Sequence, residues 1–118
     1  MASTCLVCVI AALHLGFLVL EMFLWSKPIG RRVFGLPPEV MKASARLAAN
    51  QGLYNGFLAA GLLWGAWLGP EGFQVKVFFL ACVVIAGVFG AVTAHRSILW
   101  FQAVPGAIAL VITILARS

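Results

Sequence analysis

The sequence predicts an all-α integral membrane protein, a four-transmembrane-helix antiparallel bundle, and three observations predict it. Of 118 residues, 64% are hydrophobic and only 9% charged, with a mean hydropathy of +1.09. A soluble domain carries roughly 25% charged residues, so too little polar surface remains here to cover a water-soluble globule. Four apolar stretches approach the about 20 residues that a helix needs to cross the hydrocarbon. Nothing in the chain alternates apolar and polar at the two-residue period of a membrane barrel. Residues 1–118 read as one transmembrane domain.

The first span is expected at about 6–25. The segment Met1-Ala2-Ser3-Thr4-Cys5 lacks the basic start of a secretory signal, and the apolar run leads into Glu21, Trp25 and basic residues, so it reads as a mature helix. Lys27-Pro28-Ile29-Gly30 stops it and opens a connection over 26–46. Pro37-Pro38-Glu39 then starts a helix in water, with proline in the first turn and a carboxylate at the positive helix end. That helix carries Lys42 and Arg46 down to the headgroups and crosses at about 47–68. Gly69-Pro70-Glu71-Gly72 ends it. The third span is expected at about 73–94, with Lys76 near its end and able to snorkel. His95-Arg96-Ser97 is short enough to make the third and fourth helices antiparallel neighbours, and the fourth runs over about 98–116 with a kink at Pro105-Gly106.

Charge sets the orientation. The net charge is +5, and five of the eight basic residues lie between Lys27 and Arg46. Beside two apolar spans, this is the pattern that orients a membrane protein and meets anionic lipid headgroups, not a nucleic-acid surface. Lys27, Arg31, Arg32, Lys42, Arg46 and Arg96 fall on one side, Lys76 and Arg117 on the other. The richer side is expected to be cytoplasmic, with the N- and C-termini outside the cytoplasm, in the cell (inner) membrane.

Small residues recur four apart at Gly52 and Gly56, at Gly61, Gly65 and Gly69, and at Ala86, Gly90 and Ala94. Such rows let helix backbones approach closely. Trp64 and Trp67 suit an interfacial belt. The cysteines Cys5, Cys8 and Cys82 are odd in number and argue against a disulfide framework; Cys5 and Cys8 read as small apolar side chains near a chain end rather than a redox pair.

Polar groups within the spans carry the functional signal. An ionisable group at the centre of a membrane helix costs about 2.5–3.5 kcal/mol on insertion scales. Glu21 lies one turn from the inner end of the first span, His14 two turns earlier on the same face, and Trp25 continues the stripe. Asn50, Gln51, Tyr54 and Asn55 fall within an arc of about 140° at 100° per residue. Thr93 and His95 end the third span, and Gln102 and Trp100 open the fourth. Because the spans alternate in direction, these residues come to similar depth. They outline a polar pocket in the cytoplasmic half of the bundle.

In that reading Glu21, with His14 and His95 assisting, handles protons, and Asn50, Gln51, Tyr54, Asn55, Gln102, Thr93, Trp25 and Trp100 bind a substrate. Each has a plainer explanation: Glu21 as a structural partner of Asn50 or Tyr54, the amides as glue between helices, His14 as a satisfied core residue and His95 as an interfacial one. No metal is expected, since Glu21, His14 and His95 lack the spacing of a metal motif and Glu39 and Glu71 lie on connections. Phosphate loops, nucleophile elbows and dinucleotide fingerprints are absent from the sequence, and it names no cofactor.

The runs Leu20-Glu21-Met22-Phe23-Leu24-Trp25, Arg32-Val33-Phe34-Gly35-Leu36 and Ala48-Ala49-Asn50-Gln51-Gly52-Leu53-Tyr54-Asn55-Gly56-Phe57-Leu58-Ala59-Ala60-Gly61-Leu62 resemble the domain of unknown function 1304 family, as do Ala86-Gly87 through Gly90-Ala91 and Gln102 followed by Pro105. The resemblance covers nearly the whole chain. It implies a small four-helix membrane protein of the kind usually found in bacteria, and it implies no activity.

Three functions fit these residues. One is binding of a lipophilic small molecule, with acid/base chemistry at Glu21 as its enzymatic form. The second is a small proton-coupled transporter of hydrophobic or cationic compounds; against it, Glu21 lies near the inner end of its span and the charge bias is strong. The third is a structural or accessory membrane subunit. Membrane lipids are the expected surroundings, nucleic acid is not an expected partner, and self-association into a homo-oligomer is left open.

Overall fold

The computed structural model describes residues 2–118, and among them all regular structure is helical, with no strand. Five helices follow in order: α1 (Ala2–Met22), α2 (Pro28–Phe34), α3 (Pro38–Trp67), α4 (Phe73–Thr93) and α5 (Val104–Ala116). A tight turn of 3-10 type, Gly69–Gly72, precedes α4, and a widened π turn, Leu99–Ala103, precedes α5.

Among the described residues, three stretches are long and apolar enough to cross a membrane: Ala2–Met22, Gly69–Thr93 and Leu99–Ala116. The expected second span lies inside α3. That helix has 30 residues, about 45 Å at 1.5 Å per residue, but Asn50, Gln51, Tyr54 and Asn55 make its middle less apolar than the other three. The chain forms two compact units, one comprising the residues up to Ala11 together with Leu58–Ser118, the other Ala12–Phe57.

In the unit over Ala12–Phe57, α1 and α3 run antiparallel. A Cβ on Gly52 would lie 2.6 Å from Met22 Cγ, 3.1 Å from Glu21 Cβ and 3.2 Å from the Leu18 carbonyl oxygen, and one on Gly56 would meet Leu18 Cδ1 at 2.7 Å. The small-residue pair expected from the sequence is thus the contact itself. On α3, Met41, Ala48, Gly52 and Asn55 are buried, at spacings of seven, four and three residues.

The connection between the two helices is more ordered than the sequence suggests. Helix α1 ends at Met22, and the chain turns into α2 with Pro28 in its first turn and Arg31 and Arg32 in its last. Gly30 is buried there, and a side chain on it would collide with the backbone oxygens of Leu24 and Trp25. Gly35 closes α2 in the left-handed conformation (φ 67°), its N–H donating to the Arg31 carbonyl at 2.8 Å. Ile29 and Val33, one turn apart, are exposed beside Arg31 and Arg32, the composition of a segment lying in a membrane interface.

In the other unit α4 packs against α5 and the π turn. Lys76, Leu80, Val83 and Gly87 form the buried stripe of α4, and Ala103, Gly106, Ala109 and Thr113 are buried on the facing segment. The pairing is antiparallel: a Cβ on Gly87 would lie 2.8 Å from Ala103 N, one on Gly106 2.7 Å from Val83 Cγ1, and one on Gly90 3.2 Å from Ile98 Cδ1. Gly87 therefore provides the close approach, while Ala86 and Ala94 of the expected row are exposed. Gly69 of the other row instead takes a left-handed turn (φ 67°).

Where the sequence expects a kink, the helix widens. Val104 N–H donates to the Leu99 carbonyl, five residues back. Proline at 105 has no N–H, and its ring would press on the carbonyl four residues earlier. Widening the preceding turn moves that carbonyl aside. Lys76 also departs from expectation. It is 1% exposed rather than snorkelling, and its Nζ donates to the Ser118 backbone oxygen. Ser3 Oγ and Ser118 Oγ share a hydrogen bond of 2.7 Å in the same unit.

Candidate functional site

The candidate site is a carboxylate held between α1 and α3. Glu21 is in the last turn of α1, half-buried, and Asn55 is 6% exposed on the buried seam of α3. Asn55 Nδ2 donates to Glu21 Oε1 at 2.5 Å. Gly52, one turn before Asn55, has no side chain to hold the helices apart, so α1 comes close enough for this short bond. An apolar environment strengthens a hydrogen bond to a carboxylate and penalises leaving either group unpaired.

Past the end of α1, Trp25 meets α3 nearer its start. Its Nε1–H donates to Ser44 Oγ at 3.1 Å, and its ring lies 4.5 Å from that of Phe34, tilted by 46°. Ser44 in turn donates to the Val40 carbonyl of its own helix at 2.6 Å. Neither Ser44 nor Phe34 stands out in the sequence. A serine within a helix commonly bonds back to the carbonyl four residues earlier, and only the turn into α2 brings Phe34 to the indole.

The amide-rich stretch of α3 is divided by the seam. Asn55 faces inward, whereas Asn50, Gln51 and Tyr54 are exposed. Tyr54 packs edge-on against Phe57, ring centroids 5.7 Å apart. His14 is fully buried on α1, its ring edge-on to Phe17 at 5.2 Å.

The remaining candidates belong to the other unit. Gln102, in the π turn, donates from Nε2 to the Val83 carbonyl of α4 at 3.1 Å. Thr93 Oγ1 donates to the Phe89 carbonyl at 2.7 Å, a bond within its own helix. His95 is exposed in the connection, where the Ser97 N–H donates to its Nδ1 at 3.0 Å and Ser97 Oγ lies 2.7 Å from the same nitrogen. Trp100 is exposed. Among the described residues no three His, Cys, Asp or Glu side chains gather as metal ligands, and Cys5, Cys8 and Cys82 are free.

A chain whose described residues form only helices, three of them apolar enough to cross a membrane, with a glutamate bonded to an asparagine between α1 and α3, falls in the class of small helical membrane proteins. The chain belongs to the family described as protein of unknown function (DUF1304), whose profile matches residues 8–114. It is also similar to the uncharacterized protein YpaA of Lactococcus lactis subsp. lactis (strain IL1403), 26% identical over 102 residues that span 84% of this chain and 86% of that one. No solved structure matches the chain.

Proposed function

We propose that the chain is a four-span antiparallel bundle of the cell membrane that binds a lipophilic small molecule beside Glu21 and Asn55, with Glu21 available to exchange a proton with it. In this reading α3 supplies the fourth span over about 47–68. Support comes from its ends: Arg46 marks one limit and the exposed Trp64 and Trp67 the other. In the same reading the Arg31–Arg32 end lies in the cytoplasm and both termini lie outside, which the excess of Lys and Arg at that end supports.

The observation that carries the reading is the Asn55–Glu21 hydrogen bond between two helices. An ionisable side chain within a membrane span is rare, costly and usually functional. Here its partner is a neutral amide, so the carboxyl remains free to gain or lose a proton without breaking an ion pair. Gly52 lets the two helices close around it. Isomerisation, cyclisation, epoxide opening and quinone-type chemistry would all suit such a proton-handling carboxyl.

Native mass spectrometry of the protein extracted from its own membrane tests this. A retained lipophilic molecule, lost from Glu21→Gln and from Asn55→Leu but kept by Asn50→Ala, is the expected result. Retention by all three variants, or by none of the proteins including the wild type, would overturn it. Glu21-dependent uptake of a hydrophobic cation into proteoliposomes driven by a proton gradient would replace it with the transporter reading.

A further inference from the structure

Helix α2 is docked along one side and leaves two chemically different edges free. Only residues 23–27 separate it from α1, and it is pressed onto the end of that helix. Gly30 is buried where a side chain would collide with the Leu24 and Trp25 backbone oxygens, and the Phe34 ring lies 4.5 Å from that of Trp25. Gly30 and Phe34 therefore mark the docked side. Ile29 and Val33 form an exposed apolar edge centred about 100° from it, at 100° per residue. Arg31 is exposed about 180° from that apolar edge, and Arg32, also exposed, lies between the two on the side facing away from the protein.

The packing fixes the depth of α2. Helix α1 is long and apolar enough to cross a membrane, so its end lies at the edge of the hydrocarbon. A helix held against that end by backbone contact lies in the interface. There the free surface meets two environments at once, acyl chains at Ile29 and Val33 and phosphates at Arg31 and Arg32. No acidic residue occurs between Glu21 and Glu39, so Lys27, Arg31 and Arg32 have no carboxylate in their own segment. A guanidinium can fork onto two phosphate oxygens.

From this we infer that α2 is a binding site for an anionic phospholipid. Arg31 and Arg32 hold the phosphodiester, Lys27 adds a third charge beside it, and Ile29 and Val33 lie against the acyl chains. The inference goes beyond the Glu21 site and needs only α1, not α3, to cross the membrane. The site discriminates by charge. Phosphatidylcholine carries its own ammonium, which cancels the phosphate charge and repels the three cations, whereas phosphatidylglycerol keeps its negative charge. The bound headgroup also steadies the turn between the two helices, because Phe34 of α2 lies against Trp25, whose indole reaches Ser44 of α3.

Native mass spectrometry of the full chain in a non-ionic detergent, titrated with phosphatidylglycerol and with phosphatidylcholine, reads the site. The wild type is expected to prefer phosphatidylglycerol. A basic residue near a headgroup is worth about fivefold in affinity. Arg31→Gln is therefore expected to weaken phosphatidylglycerol binding about fivefold, and Arg31→Gln with Arg32→Gln about twenty-five-fold, with phosphatidylcholine unchanged. Arg96→Gln, exposed on another connection, is expected to change neither. No preference in the wild type, no loss in the double variant, or an equal loss from Arg96→Gln would overturn the site. Displacement of phosphatidylglycerol by soluble glycerol phosphate at equal concentration would overturn the lipid as its ligand in favour of a free phosphoester.

Probe depth in vesicles of phosphatidylcholine and phosphatidylglycerol checks the placement independently. The full chain is used, with Cys5, Cys8 and Cys82 replaced by serine or alanine and a nitrobenzoxadiazole attached at Ile29→Cys or at Arg31→Cys. The probe at 29 is expected to be quenched by a nitroxide on the acyl chain and shielded from aqueous iodide, and the probe at 31 to show the reverse. Quenching of both by iodide alone would lift α2 out of the interface and overturn the inference.

Discussion

Replacing Gly52 with alanine tests whether the approach of α1 to α3 is what holds Glu21 in place. The added methyl would sit 2.6 Å from Met22 Cγ, 3.1 Å from Glu21 Cβ and 3.2 Å from the Leu18 carbonyl oxygen. Ordinary carbon contacts lie at about 3.5–4.0 Å, so α1 must retreat by about 1 Å or its side chains must leave their rotamers. Overpacking of this kind costs about 1–3 kcal/mol. Alanine returns about 1 kcal/mol through its better helix propensity. Gly16 provides the control: it is also within a helix, but a Cβ there would meet nothing within 4 Å, so Gly16→Ala keeps only the propensity gain. The difference between the two variants removes the propensity and isolates the packing cost, about 1–3 kcal/mol in favour of Gly16→Ala. Unfolding in sodium dodecyl sulfate titrated against a mild detergent, followed by tryptophan fluorescence, measures it. Equal stability of the two variants would refute the close packing of α1 on α3, and with it the reason for the short Asn55–Glu21 bond.

Two further outcomes are expected. In a double-mutant cycle, Glu21→Gln and Asn55→Leu should be coupled by about 1 kcal/mol or more, the range found for residues in one hydrogen bond; strictly additive unfolding energies would show that the bond contributes nothing. Gly30→Ala should cost about 3 kcal/mol, because its methyl group has no room beside the Leu24 and Trp25 oxygens, and should speed tryptic cleavage at Arg31 and Arg32; unchanged cleavage would show that the turn into α2 is not fixed by this contact.

Much of this architecture is legible in the sequence because membrane helices announce their ends. Pro38 with Glu39 starts α3, Gly69-Pro70 stops it, and the Gly52–Gly56 pair marks the helix contact. Glu21 is legible as an outlier in an apolar run. Its partner is not: the sequence offers Asn50, Tyr54 and Asn55 within one arc, and which of them turns inward depends on where the seam of α3 falls. That seam is set by Met41, Ala48 and Gly52, small or flexible residues whose periodicity is weak in a helix with polar side chains on several sides. Helix α2 is hidden for a different reason. Seven residues with two arginines carry no periodic signal, and only the left-handed Gly35 and the buried Gly30 define it.

The widened turn at 99–103 has a consequence for how the C-terminal helix is read. One additional residue within a helix rotates everything after it by about 100° relative to an unbroken count. Residues on the two sides of the turn are thus out of phase, and a helical wheel drawn straight through from Ile98 to Ala116 would assign side chains to the wrong faces. Moving the proline or removing one residue in this stretch would therefore act at a distance, turning Ala109 and Thr113 away from α4 while leaving every residue near the change in ordinary helical geometry.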